Sequence, residues 1–293
     1  MDRSNYYTVV HPEKFAFNWT AFYDKIESMT KTVRRNIPNL LNIDYVGNGD
    51  PKQRLDLYFP QRRDSGKNNP VFIFLHGGGF REGDKDDYGF VAAPFSAKRI
   101  IAVVASYRWA PQFHFPSQVD DTKRILLWVF SNIEKHGGNA NQIYLGGHSA
   151  GAILCASVSV ESSWTKGYQS LPRDVVKGFF PISGEYDLRK SIMANPYVDD
   201  ASLLSQASPA LNIVDPPPSI VAVGSKEDIF LDPSIAFVTR LVERKRRKDT
   251  PSSKLLVLDG MEHADTVLAL GDEQSVLFRE IAATIHELGQ EGA

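Results

Sequence analysis

Ile143-Tyr144-Leu145-Gly146-Gly147-His148-Ser149-Ala150-Gly151, running on into Ala152–Val160, is the stretch that decides the fold. A short apolar run, as expected of a strand buried on both faces, passes through Gly-His-Ser-Ala-Gly into an apolar helical pattern. This is G-x-S-x-G in the strand–turn–helix setting that a nucleophile elbow requires. A lone five-residue match occurs by chance; its placement between strand and helix gives it weight. Small residues on both sides let the backbone of Ser149 take strained dihedrals, and the helix behind it favours negative charge. The rival, a dinucleotide loop of the form G-x-G-x-x-G, would need glycine where His148 stands.

Upstream, the apolar run Val71–Leu75 leads into His76-Gly77-Gly78-Gly79-Phe80. A serine nucleophile leaves an oxyanion on the substrate carbonyl, and glycines let backbone N–H groups approach it without Cβ obstruction. The expected donors are Gly78, Gly79 and the amide of Ala150, ahead of Gly77. A plain glycine-rich turn is the bland alternative, and the pairing with the elbow argues against it.

Downstream, the order Ser…Asp/Glu…His calls for a base and an acid. Only His263 and His286 follow Ser149. His286 falls inside the last helical pattern. His263 follows Leu255–Leu258 and Asp259-Gly260-Met261-Glu262, so a loop after a strand is expected to present it. The acid should follow Ile220–Val223, where Glu227 and Asp228 stand side by side. The offset from Ser234, near the expected helix start, favours Asp228 over Glu227. Asp232 is a weaker third candidate and reads rather as an N-cap before Pro233.

Around these motifs, Leu41–Val46 and Arg54–Phe59 alternate across Gly47-Asn48-Gly49-Asp50 and predict an antiparallel hairpin. Continuous apolar runs at 71–75, 100–105, 143–146, 175–182, 220–223 and 255–258 alternate with helical patterns. One helix carries Val119, Leu126, Val129, Phe130 and Ile133; another starts at Ser149, another near Pro233, and the last carries Leu277, Ile281, Ile285 and Leu288. Such alternation predicts an α/β fold: a mostly parallel central sheet covered by helices on both faces. Residues 1–40 read as an N-terminal helical extension, with Trp19, Phe22, Tyr23, Ile26 and Met29 at helical spacing and Pro38 ending the run. Residues 41–293 form the main domain, and the weakly periodic stretch 184–212 reads as a lid or cap insertion.

The 293 residues carry 33 Lys+Arg against 35 Asp+Glu, a net charge of −2, which argues against a nucleic-acid partner. The basic run Arg244-Lys245-Arg246-Arg247-Lys248 reads as a solvated helix end. Cys155 is the one cysteine, which excludes an intrachain disulfide and a cysteine-based zinc site, and it reads as core packing. No His/Asp/Glu spacing suggests a metal, and no cofactor is expected. The first residues lack the apolar stretch of a signal peptide, and no window suggests a membrane span, so a cytoplasmic protein without a membrane partner is expected. A homodimer is left open.

Taken together, H-G-G-G-F, G-H-S-A-G and the late G-x-E-H resemble the α/β-hydrolase superfamily. Ser106-Tyr107-Arg108-Trp109-Ala110-Pro111, continuing to Phe115-Pro116, is similar to hormone-sensitive-lipase-type esterases. Gln53–Tyr58, Ser183-Gly184-Glu185-Tyr186-Asp187-Leu188-Arg189 and Ala207-Ser208-Pro209 resemble kynurenine formamidase (arylformamidase) and its esterase relatives. The resemblance covers about residues 41–290. It implies an α/β-hydrolase fold and a serine hydrolase acting on a small ester or amide, with Ser149 as nucleophile, His263 as base, Asp228 as acid and Gly78, Gly79 and Ala150 as the oxyanion hole. Formamidases usually carry H-G-G-x-W, and Phe80 in place of that tryptophan tips the expectation towards a carboxylesterase. The acid region is one residue longer than G-x-x-D, which is why Glu227 stays open beside Asp228. Pocket walls are expected from Phe80, Tyr107, Trp109, Phe113 and Tyr186 and from the 15–30 helix, although core packing explains such aromatics equally well. The alternative is a non-hydrolytic protein of the same fold, a small-molecule receptor or a cyclase or dehydratase, against which the presence of serine, base and acid counts.

Overall fold

The computed structural model describes residues 18–61, 68–168, 170–191, 194–244 and 252–291. Its strands are β1 (Asn39–Asp44), β2 (Arg54–Tyr58), β3 (Asn69–Leu75), β4 (Ile101–Ala105), β5 (Gly138–His148), β6 (Val176–Ile182), β7 (Ile220–Gly224) and β8 (Lys254–Leu258). They form one eight-stranded sheet in the order β1-β2-β4-β3-β5-β6-β7-β8. β1 pairs with β2 antiparallel, as the hairpin signal required; β2 also pairs with β4 antiparallel, and every later pairing is parallel.

The helices are α1 (Trp19–Asn36), α2 (Lys85–Tyr88), α3 (Ala92–Ala97), α4 (Ser117–Asn132), α5 (Ala150–Ser159), α6 (Ala194–Tyr197), α7 (Leu204–Ala207), α8 (Asp228–Arg244), α9 (His263–Leu270) and α10 (Val276–Glu291). Side chains alternate across a strand, so each run without polar residues feeds two cores. Val71, Ile73 and Leu75 of β3 pack with α4, α5 and α8 on one face. Phe72 and Phe74 pack with α1, α3, α9 and α10 on the other. α1 is capped by Asn18, whose side chain accepts from Ala21 N–H at 3.0 Å, and it ends at Ile37, extended as the residue before Pro38 must be. Its buried Phe22, Tyr23 and Ile26 belong to the second core, each worth about 1.5–3 kcal/mol when fully buried.

Two boundaries differ from expectation for a physical reason. β5 starts at Gly138 rather than Ile143, because the polar Gly138–Gln142 stretch gives no apolar signal while still pairing beside β3. α8 starts at Asp228, so Pro233 lies inside the helix and Asp232 is a helical residue, not the N-cap. Among the described residues of 184–212 there are only short helical turns. Of the basic run, Arg244 closes α8 and residues 245–248 lie outside the described residues, as do 1–17. Among the described residues no helix is long and apolar enough to cross a membrane.

Because β3 to β8 run parallel, the loops after β3, β5, β6, β7 and β8 all emerge at one edge of the sheet, where open α/β sheets bind ligands.

Candidate active site

Ser149 sits between β5 and α5 at φ 55° and ψ −117°, a strained left-handed position for a residue with a side chain. Its N–H donates to the Ile182 carbonyl at 2.9 Å and its own carbonyl accepts from Ala152 at 3.0 Å, so neighbouring backbone holds the strain in place. The flanking glycines are dictated by close approach: a Cβ on Gly147 would strike the Gly151 carbonyl, and one on Gly151 would strike the Leu75 carbonyl. The loop after β3 therefore lies directly against the elbow. A Cβ placed on Gly77 would stand 3.2 Å from the Ser149 Cβ.

In that loop Gly78 takes φ 121°, Gly79 58° and Phe80 60°. The Gly78 carbonyl accepts from Arg81 and Glu82 N–H at 3.0 and 3.1 Å, and the Phe80 carbonyl accepts from Ala110 N–H at 2.7 Å. Among the described residues the N–H groups of Gly78 and Gly79 have no acceptor, and Ala150 opens α5, where a helix leaves its N–H groups unpaired. Three free amides thus flank the elbow.

His263 is the first residue of α9, not part of the loop that the sequence predicts. Asp259 and Gly260 form a turn after β8, and Glu262 caps the helix that follows, forming a capping box with Asp265 that starts it at His263. The His263 Nδ1 lies 2.6 Å from Glu227 Oε2. The ring stacks on Phe230 at 4.7 Å between centroids and lies 4.5 Å from the ring of His148, the residue before Ser149. The His263 carbonyl accepts from His148 Nε2 at 3.0 Å and from Thr266 Oγ1 at 2.8 Å. Nδ1 is committed to the carboxylate, so Nε2 is the nitrogen with an available lone pair. His148 itself is buried, and burial, with the nearby His263, holds its ring well below the usual imidazole range; it stays neutral beside His263.

The carboxylate on His263 is thus that of Glu227. It stands three residues after Gly224, the G-x-x-D spacing with glutamate in the acid's place. Asp228, favoured by the sequence, supplies the first residue of α8, and its side chain lies outside the described residues. Glu227 is 2% exposed, and its other oxygen, Oε1, accepts from Gly224 N–H at 2.7 Å and Ser183 Oγ at 2.6 Å. Ser183 and Thr266 were missed by sequence reasoning. The available signal was the Ser183-Gly184 pair closing an apolar strand, a place where the chain must turn sharply.

Of the expected pocket rings, Phe80, Tyr107 and Tyr186 are buried in the core around the site. Phe80 stacks on Tyr197 of α6 at 3.8 Å, and Tyr186 stacks on Phe237 of α8 at 4.1 Å. Tyr107 stacks on His76 at 4.4 Å and donates to the His76 carbonyl at 2.8 Å. Trp109 and Phe113 are half-buried, with the Lys52 ammonium 4.7 Å above the Trp109 ring and the Arg108 guanidinium 4.6 Å above that of Phe113.

The sheet order, the elbow after β5 and the glycine loop after β3 are those of the α/β-hydrolase fold. The BD-FAE family model matches residues 55–177. The chain is 29% identical to an isoprenylcysteine alpha-carbonyl methylesterase of Arabidopsis thaliana, over 90% of this chain and 64% of that protein. It is 32% identical to a kynurenine formamidase of Danio rerio, over 58% of this chain and 54% of that protein. The chain therefore spans less than two thirds of these curated relatives. Among solved structures, a phosphonate-inhibited esterase B from Lactobacillus rhamnosis superposes with a TM-score of 0.74 at 17% identity, over 93% of this chain and 97% of that one. That likeness concerns the fold.

Proposed function

We propose that the chain is a serine hydrolase that cleaves small carboxylic esters or amides through an acyl-enzyme. The observation that carries this is the Glu227–His263 pair set beside the strained Ser149 elbow. Ser149 Oγ attacks the substrate carbonyl carbon as its proton passes to His263 Nε2. Glu227 fixes the imidazole tautomer and stabilises the imidazolium, the role expected of Asp228 from the sequence. The amides of Gly78, Gly79 and Ala150 receive the oxyanion. The imidazolium then protonates the leaving alcohol or amine, and water repeats the sequence to free the acid and Ser149.

Between ester and formamide, Phe80 in place of the formamidase tryptophan favours the carboxylesterase, and relatives named as a methylesterase and a formamidase support the shared chemistry. Residues 184–212, which place Tyr197 on Phe80, fit a cap over the glycine loop. A single buried Cys155 suits a cytoplasmic setting. Turnover of p-nitrophenyl acetate, longer p-nitrophenyl esters and N-formylkynurenine tests the reading. Short esters should be cleaved fastest, and Ser149→Ala should lower kcat by about 10⁴–10⁶-fold. Retention of a tenth of the activity by that variant would exclude the acyl-enzyme, and dominant formamide turnover would reverse the substrate preference.

A further inference from the structure

Ser183, immediately after β6, takes no part in the steps above. It is fully buried and has φ 52°, the left-handed region that favours glycine. Its N–H donates to the Ala222 carbonyl at 2.8 Å, tying the backbone to β7. Its hydroxyl lies 2.6 Å from Glu227 Oε1 and 2.9 Å from Thr266 Oγ1. A hydroxyl has one proton to give. A buried carboxylate only accepts, and Thr266 gives its own proton to the His263 carbonyl at 2.8 Å, so the Ser183 proton goes to Glu227. With the Gly224 amide on the same oxygen at 2.7 Å, Oε1 is held twice, and Oε2 is turned to His263 at 2.6 Å.

Glycine would hold φ 52° without strain, and its neighbour in the chain is already Gly184. What glycine lacks is the hydroxyl. We infer that Ser183 is a positioning residue: its hydroxyl fixes the rotation of the Glu227 carboxylate so that Oε2 faces His263 Nδ1 and the base keeps the tautomer that Ser149 needs. The inference rests on the hydrolase reading for its catalytic consequence, while the hold on the Glu227–His263 pair can be observed separately.

The test compares Ser183→Ala with Ser183→Gly in the full chain. Both lack the hydroxyl, but glycine relieves the left-handed strain that alanine keeps, so Tm should be higher for Ser183→Gly. Two readouts follow. The first is kcat and KM on p-nitrophenyl acetate. The second is the downfield proton resonance of the His263 Nδ1–H, assigned by its disappearance in His263→Gln. Both variants should lose kcat by a similar factor, about tenfold or more, with KM within about twofold and the downfield resonance weakened or lost. A role confined to packing would make the kcat losses follow the two Tm values instead, and that result overturns the inference. So does wild-type kcat in either variant, an unchanged resonance, or a wild type with no such resonance. If the wild type turned over no ester or amide, the hydrolase reading would fall, and the resonance alone would decide whether Ser183 orients Glu227.

Discussion

The imidazole of His263 and the carboxylate of Glu227 meet at 2.6 Å, with the Glu227 side chain 2% exposed and the His263 side chain 19% exposed. The carboxylate is sealed behind the imidazole, which keeps an open side. Glu227→Gln should therefore lower kcat by about 10²–10⁴-fold with little change in KM. Asp228→Asn should stay within about threefold of wild type. Steady-state kinetics on p-nitrophenyl acetate decide this, and a larger loss in Asp228→Asn would return the acid's role to that residue.

The glycine loop gives a second expectation. A Cβ on Gly78 would strike the Glu82 carbonyl, at a φ of 121° that L-residues rarely adopt. Gly78→Ala should move the loop and its free amides, lowering kcat by about 10²–10³-fold while the far-UV circular dichroism stays native. Wild-type kcat in that variant would remove Gly78 from the oxyanion hole.

His76 sets a dependence of stability on pH. It is fully buried between the rings of Tyr107 and Tyr88, its Nδ1 donates to the Gly77 carbonyl at 2.6 Å, and burial pushes its pKa down to about 4. Asp84 and Lys52 act on it with opposite sign, the carboxylate raising it and the ammonium lowering it. An unfolded histidine titrates near about 6.5, so between about 6.5 and about 4 the unfolded chain binds a proton that the folded chain does not. Stability from this residue is complete above the unfolded value and falls as pH drops through that window. Melting temperatures measured from pH 7 to 4 should decline less steeply in His76→Gln, and parallel curves would contradict the assignment.

A buried ion cluster pins α1 and α2 to β2. Lys85, 2% exposed, lies 3.2 Å from Asp56 Oδ1, and Arg34 lies 2.7 Å from Asp56 Oδ2. Lys85→Met leaves Asp56 fully buried with Arg34 as its remaining cation. Removing one member of a buried pair costs roughly 3–5 kcal/mol, and Arg34 keeps the expected loss near the lower end. Urea unfolding measures it, and an unchanged midpoint would show that the cluster adds nothing.

Much of the site was legible because its constraints are local. Gly147, Gly151 and Gly78 stand where any Cβ meets backbone, and such positions appear in the sequence as glycine runs at strand ends. The strand series was legible because residues 71–75 and their counterparts face two cores. The acid was not, because choosing between Glu227 and Asp228 depends on where α8 begins. Pro233 imitates a helix start, whereas the Phe230 and Leu231 N–H groups already donate to the Glu227 carbonyl at 3.0 Å. The rings of Phe80, Tyr107 and Tyr186 carry no sequence mark that separates a pocket wall from a packed core. Ser183 reaches Glu227 and Thr266 across chain separations of 44 and 83 residues that no local pattern records.

Labelling with a fluorophosphonate probe, read by peptide mass spectrometry, addresses the nucleophile most directly. One covalent adduct on Ser149 is expected in the wild type at neutral pH, with none in Ser149→Ala and a strongly reduced rate in His263→Ala. A wild-type protein that stays unlabelled, or carries its adduct on another residue, would contradict the serine-hydrolase account.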